Sequence, residues 1–382
     1  MPQLDHLVLR NVWLSSWVLS FSLLGDALLY VVLPVHADAF GVSMVVVGFL
    51  LAVNRIIRTF AYGLIADLAE RIGLKKLCLI AAVTASISTL GYGWLDGGIA
   101  LTLSRMLWGL SYASLLLITL AFAAINPKKT GTRIGVSRSV EQVGPLLAMT
   151  CGAWLTTIVG PRDVFIYLGI VTSLSVFIAF ILDDKAQPNK IKKPLSRNYI
   201  FSRPDSLDLL IFWMGFGIDG IFTVLISLMW TQYLSLEMAI LIGGSVLASR
   251  RLCEMIVAPM AGAIADKLGV RIPLFITVAL TIVGFGLIGI GFLVLGSIAL
   301  VLARGALGTL FPAAVAKIYS QNKVKALTRN QTWRDVGAAI GPLLAGASLS
   351  VISPEFMHIF VAIAFSISFF VFIRSKEYKL LL

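Results

Sequence analysis

Twelve apolar segments alternate with polar or turn-forming clusters along the 382 residues, near 12–35, 42–66, 77–95, 99–124, 135–159, 163–182, 207–233, 238–265, 272–294, 297–318, 335–352 and 356–373. Most approach about 20 residues, enough at about 1.5 Å per residue to cross roughly 30 Å of hydrocarbon. Lipid offers the backbone no hydrogen-bond partners, so a spanning segment of this length has to satisfy itself as a helix. Composition agrees. The chain is 58% hydrophobic and only 13% charged, whereas soluble domains are about 25% charged. A soluble globule is excluded, and the expected fold class is an all-α membrane protein.

Thirty-one Lys and Arg against 19 Asp and Glu leave a formal charge of +12. In a soluble chain that excess would suggest nucleic acid; here its distribution reads as topology. Arg10, then Arg71, Lys75 and Lys76, then Lys128, Lys129, Arg133 and Arg138, then the run from Lys185 to Arg203, then Lys267 and Arg271, then Lys317 to Arg334, and last Arg374, Lys376 and Lys379 mark every second connection. The alternate connections contain only Arg162. Both termini are therefore expected on the cytoplasmic side of a cytoplasmic membrane. The longest polar stretch predicts a linker over 183–206, between an N-terminal six-helix bundle (1–182) and a C-terminal one (207–382). Its basic run reads as a solvated strap beside anionic lipid or as a partner site. Asn330-Gln331-Thr332 matches a glycosylation acceptor but falls in a connection expected to be cytoplasmic. Cys78, Cys151 and Cys253 lack paired spacing and are expected to pack. The unbroken apolar run from Val12 to Val35 reads as a retained first span, not a cleaved leader.

An internal repeat supports two related halves. GLIAD at 63–67 returns as GAIAD at 262–266, and Arg105-x-x-x-Gly109 returns as Arg304-x-x-x-Gly308. Thr132-Arg133-x-x-x-x-Arg138 is echoed by Thr328-Arg329-x-x-x-x-Arg334, and Gly144-Pro145-Leu-Leu-Ala by Gly341-Pro342-Leu-Leu-Ala. Parallel repeats of six helices with a site near the midplane are a recurring transporter plan.

On these motifs the chain resembles the major facilitator superfamily over essentially its whole length. The resemblance implies twelve transmembrane helices in two pseudo-symmetric six-helix bundles, and secondary transport by alternating access. Gly262, Asp266, Lys267, Gly269 and Arg271 match the family's loop motif closely. The first copy, from Gly63, has three extra residues between Asp67 and Arg71, so Asp67 or Glu70 takes the family aspartate's place, Asp67 being favoured. In the family this carboxylate faces a helix N-terminus of the other half and acts as a conformational latch, an attraction of charge for helix dipole. The alternative is a loop ion pair such as Asp67 with Arg71, worth a few tenths of a kcal/mol. Arg105-Met-Leu-Trp-Gly109 resembles the fourth-span motif, with Trp108 where glutamine is common. Gly144-Pro145 resembles the fifth-span antiporter motif, with Ala148 in place of a glycine; the fuller copy is Gly337, Gly341, Pro342 and Gly346. Gly144, Pro145, Gly341 and Pro342 are expected to bend their helices, and export is favoured over import.

Ten charges fall inside predicted spans: Asp26, Arg55, Arg58, Arg105, Glu141, Asp219, Arg250, Arg251, Glu254 and Arg304. At about 2.5–3.5 kcal/mol each on insertion scales, they have to face the interior or one another. One reading is structural pairing, for example Glu254 with Arg250 at i,i+4. The other is a binding cavity, in which six arginines against four acids await an anion, since guanidinium matches carboxylate or phosphate bidentately. Arg55, Arg58, Arg105, Arg250, Arg251, Glu254 and Arg304 are then substrate-binding candidates. Tyr30, Trp108, Tyr112 and Trp213 are candidate walls or packing residues. Asp26, Asp219 and Glu141 are candidates for proton coupling, because water access to a buried acid alternates.

The expected function is proton-coupled export of a small organic solute, an anion such as a carboxylate siderophore or metabolite being preferred. The alternative is a multidrug cation–proton efflux antiporter; a non-transporting sensor and a lipid flippase are further alternatives. Expected partners are the solute, protons and membrane lipids, without nucleic acid, and the chain is expected to be monomeric. His6, His36 and His358 are dispersed, and no nucleotide loop, metal pattern or catalytic triad stands out, so neither enzyme activity nor a cofactor is expected.

Overall fold

The computed structural model describes residues 2–125, 129–183, 203–320, 323–348 and 351–381. Twelve long helices run through them: α1 (Pro2–Val32), α2 (Met44–Ile72), α3 (Leu74–Trp94), α4 (Gly98–Ala123), α5 (Thr130–Val159), α6 (Asp163–Phe180), α7 (Ser206–Trp230), α8 (Leu236–Leu268), α9 (Arg271–Gly289), α10 (Leu293–Ile318), α11 (Lys323–Ser348) and α12 (Pro354–Arg374). Ten are long and apolar enough to span a bilayer. The other two, α8 and α11, carry Arg250, Arg251 and Glu254, and Arg334 and Asp335. The architecture is the expected all-α, twelve-helix membrane fold.

Helices outrun their apolar segments. Expected over 335–352, α11 starts at Lys323; expected over 42–66, α2 continues to Ile72. Hydropathy marks only the part of a helix that lipid covers, while the backbone ladder continues through polar residues until a breaker intervenes. Gly73, at φ +87°, ends α2, and Gly269, at φ +79°, ends α8; both adopt a backbone that L side chains avoid. At the start of α7, Asp205 and Asp208 form a reciprocal capping box.

Internal contacts divide the chain into two compact units, residues 1–126 with 140–200, and residues 127–139 with 201–382. The linker expected over 183–206 lies largely outside the described residues. In the first unit α4 packs on α2 and α3, α6 on α3 and α1, and α5 on α1. In the second, α10 packs on α8 and α9, α12 on α9 and α7, and α11 on α7. The same pairing thus occurs twice.

Pro145 has no N–H to donate and its ring crowds the carbonyl four residues back. Accordingly α5 is interrupted at Gln142, resumes over Val143–Leu147, and widens to a π-turn at Ala148–Gly152. Pro342 lies inside a helix that runs on without interruption. A Cβ on Gly144 would stand 1.9 Å from the Ser20 carbonyl oxygen of α1, and one on Gly341 would stand 2.4 Å from that of Phe216 on α7. Backbone-to-backbone contact of this kind is how small residues join helices in lipid.

Gly144→Ala should lower the thermal midpoint in detergent, at an overpacking penalty of about 1–3 kcal/mol. Gly346→Ala, whose Cβ meets nothing within 4 Å, should be neutral or stabilising. Equal midpoints for the two variants would remove this account of the α1–α5 contact.

Candidate functional site

In the first unit, one guanidinium organises the charges. Arg105, on α4, is fully buried and forms an ion pair with Asp26 of α1, whose side chain is 15% exposed. Its Nε donates to the Leu50 carbonyl at 2.9 Å and its Nη1 lies 3.4 Å from the Tyr92 hydroxyl. The Tyr30 ring is 5.5 Å from the same guanidinium, and its hydroxyl donates to the Leu51 carbonyl at 3.1 Å. Asn54 on α2 donates to Asp26 at 3.4 Å. Four helices, α1 to α4, therefore meet at one ion pair. Lower coordination would leave donors buried without partners, at about 1–3 kcal/mol each.

In the second unit, a carboxylate is the centre. Asp219 lies on the π-helical turn Gly215–Phe222 of α7, a widening that inserts an extra residue and re-aims side chains. Arg304 of α10 holds it bidentately, at 2.9 and 3.4 Å. Arg250 of α8 reaches it at 3.4 Å and Arg334 of α11 at 3.9 Å. Glu254 pairs with Arg304 at 3.4 Å, and Asp335 with Arg334 at 3.5 Å. Glu254 is thus bound to Arg304 across helices, where the sequence suggested Arg250 on its own helix; Arg250 turns to Asp219 and to Thr223, 3.3 Å away.

The remaining candidates distribute around these centres. Arg58 is buried and stacks on Tyr112, its guanidinium carbon 4.6 Å from the ring centroid, and Trp108 packs on Tyr112 at 5.9 Å. Arg55 and Arg251 are partly buried, and Glu141 is buried at the end of the first piece of α5. Trp213 belongs to packing: it lies against Phe216 and Phe360 at 5.2 and 6.0 Å.

Among the loop-motif residues, Asp266 accepts from the backbone N–H groups of Gly131 at 2.9 Å and Thr132 at 2.7 Å. These are first-turn donors of α5, which have no partner inside their own helix. A Cβ on Gly262 would stand 2.1 Å from the Gly131 carbonyl, so the motif glycine permits the crossing. Gly63 is buried and Arg71 and Lys267 are exposed. Oδ1 of Asp67 is buried with no hydrogen-bond partner among the described residues. Arg271 stacks on Tyr378, 4.3 Å from the ring centroid.

A further cluster escaped the sequence reading. Arg329 of α11 forms ion pairs with both capping-box acids, at 2.5 Å to Asp208 and more closely to Asp205, which also accepts from Tyr319. Asn330 donates to Asp208 at 3.1 Å. The adjacent Ser206 donates to Glu377 at 2.9 Å. Burial works to raise the Glu377 carboxyl, but hydrogen bonds from its own backbone, Ser206 and Ser375, with Arg329 nearby, hold it below the ordinary glutamate value.

Other participants missed were Asn54, Tyr92 and Arg334. Neutral side chains in apolar runs give no charge signal. Arg334, by contrast, is the last residue of the repeated Thr-Arg-x-x-x-x-Arg pattern, and that echo was the available clue.

Two predictions follow from the Arg329 cluster. Arg329→Ala leaves two buried acids without their shared cation and should cost about 3–5 kcal/mol, seen as a lower thermal midpoint; adding Asp208→Asn should recover part of it. The Glu377 carboxylate contributes stability above its unfolded value of about 4.3, and that contribution is lost as pH falls through the lower folded value. Wild type and Glu377→Gln should therefore differ in midpoint at pH 7 and converge below about pH 4.

The family model of the Major Facilitator Superfamily matches residues 16–250. No curated protein sequence matches the chain. Among solved structures, the human organic anion transporter MFSD10 (TETRAN) superposes with a TM-score of 0.74 at 16% identity, covering 95% of this chain and 98% of that one. A bacterial homologue of the iron transporter ferroportin, in an outward-facing state, gives 0.73 at 14% identity, over 96% and 98%. The E. coli fucose:proton symporter FucP gives 0.72 at 12%, over 97% and 99%. At these identities the likeness is one of fold. With more than half of its length matched by the family model and a twelve-helix fold to accompany it, the chain belongs to the major facilitator superfamily and is a multi-pass membrane transporter.

Proposed function

We propose that this transporter couples movement of a small organic solute to protons by alternating access, exporting it, and that its first substrate class is organic anions such as hydroxycarboxylates. The observation that carries the reading is the acid–arginine centre found once in each unit: Asp26 with Arg105, and Asp219 with Arg304. Each centre offers a proton acceptor and an anion receptor that neutralise each other until one is claimed. Asp26 has a single guanidinium partner and Asp219 has three, so Asp26 is proposed as the titrating acid, with Glu141 as an accessory. Arg55, Arg58, Arg250 and Arg251 supply further positive charge for the anion. Asp266 on the α5 N-terminus is proposed as the latch that exchanges during the cycle, residues 1–182 and 207–382 as the two moving bundles, and a cytoplasmic location for both termini. Export rests on the fifth-span motif at Gly144 and Pro145.

The same centres support a second reading, cation–proton antiport. A cation engaging Asp26 competes with a proton for one carboxylate, whereas an anion engaging Arg105 frees Asp26 to bind one. Linkage makes these opposite in sign. The test is flux in proteoliposomes under an imposed pH gradient, with hydroxycarboxylate anions and lipophilic cations compared and proton movement recorded on substrate addition. Anion flux accompanied by proton uptake supports the first reading; cation flux with proton release replaces it by the second. Asp26→Asn should abolish gradient-driven flux while retaining ligand binding, and full gradient-driven flux in that variant would end the assignment of Asp26.

A further inference from the structure

Helix direction places the end of α8, the start of α9 and the ends of α10 and α12 on one side of the second unit. Between them lies a cleft of about 420 Å³. Its floor is the short C-terminal helix Lys376–Lys379 with the residues that follow it. Its polar groups are cationic. Arg271 presents the face of its guanidinium to Tyr378, so its in-plane N–H groups stay directed away from the ring, and they have no acceptor among the described residues. Lys317 donates to the Leu381 carbonyl at 2.9 Å, which leaves two of its three ammonium protons. Both cations line the cleft, and no acidic residue does. Its lip is apolar and open: Leu268, Ile272 and Phe275 are 65%, 54% and 40% exposed.

This combination discriminates between anions. A soluble phosphate would use the cations but gains nothing from three exposed apolar side chains at the end of membrane spans. A phospholipid uses both, its phosphate between Arg271 and Lys317 and its acyl chains along Ile272 and Phe275. Basic pockets between spans at one membrane face are recognised sites for anionic headgroups, each cation there adding to the attraction. We propose that this cleft is a binding site for an anionic phospholipid, which on binding bridges α9, α10 and the C-terminal helix. The Arg271 of the loop motif thereby serves lipid recognition through a contact that does not involve Asp266.

The test uses full-length protein in neutral detergent, titrated with dioleoylphosphatidylglycerol, dioleoylphosphatidylcholine or inorganic phosphate and read by native mass spectrometry. Phosphatidylglycerol should bind in preference to phosphatidylcholine, and Arg271→Gln with Lys317→Gln should remove that preference, a change on the order of thirtyfold for two interfacial cations. Lys379→Gln, outside the cleft, and the charge-conserving pair Arg271→Lys with Lys317→Arg should keep it. Should the double variant fail to fold, Ile272→Glu, which sets a carboxylate at the exposed lip, should lose the preference instead. Retention of the preference in the neutralised cleft would overturn the site. Displacement of phosphatidylglycerol by equimolar inorganic phosphate would overturn its assignment to lipid.

Discussion

A charge buried inside a bilayer protein has to be answered by another charge or by hydrogen bonds from the same protein, and the packing of each unit of this transporter is arranged around that requirement. Arg105 cannot be satisfied by one helix. It takes a carboxylate from α1, a carbonyl from α2 and a hydroxyl from α3, so those helices have to approach α4 at fixed heights. Asp219 imposes the same discipline on α7, α8, α10 and α11. The close backbone contacts at Gly144 and Gly341 follow from it: they bring α5 against α1 and α11 against α7, the two helices that carry the acids.

The two units repeat a topology without repeating its chemistry. The first is built around a cation that collects one carboxylate and several neutral acceptors. The second is built around an anion that collects three guanidiniums, two of which have a further acid of their own. The arginine at the fourth helix of each half is common to both, and its neighbours have diverged. Protonating Asp26 would release one guanidinium, whereas Asp219 would have to be lost from three at once. Any division of labour between coupling and binding has this asymmetry as its physical basis.

Fold class was legible because lipid converts composition into secondary structure: a long apolar run leaves the backbone little choice. The repeat then identified corresponding helices, and the loop motif at Gly262 to Arg271 identified Asp266. What hydropathy did not show was where helices end in water, since Lys323 to Arg334 is polar and nonetheless helical. Nor did it show which charges meet. Spacing on one helix suggested Glu254 with Arg250, but the bilayer favours pairs that also join helices, and Glu254 went to Arg304. The Asp205, Asp208 and Arg329 cluster was illegible for a related reason. Its acids look like ordinary helix-capping residues at a linker's edge, and only the fold brings Arg329 from more than a hundred positions away.

Buried ion pairs are poor devices for stability alone. Desolvating two charges consumes most of their attraction, and well-packed apolar residues of similar volume commonly hold helices as firmly or more so. A chain that is already 58% hydrophobic had such residues to hand at every one of these positions. The acids and arginines at the centres of both units therefore need a reason beyond cohesion. What an apolar pair cannot do is change partners: a carboxylate can accept a proton and a guanidinium can accept an anion, each at the other's expense. Exchange of that kind, made once in each half of a twofold-repeated transporter, links occupancy to helix packing, because the groups that bind are the groups that hold the helices together.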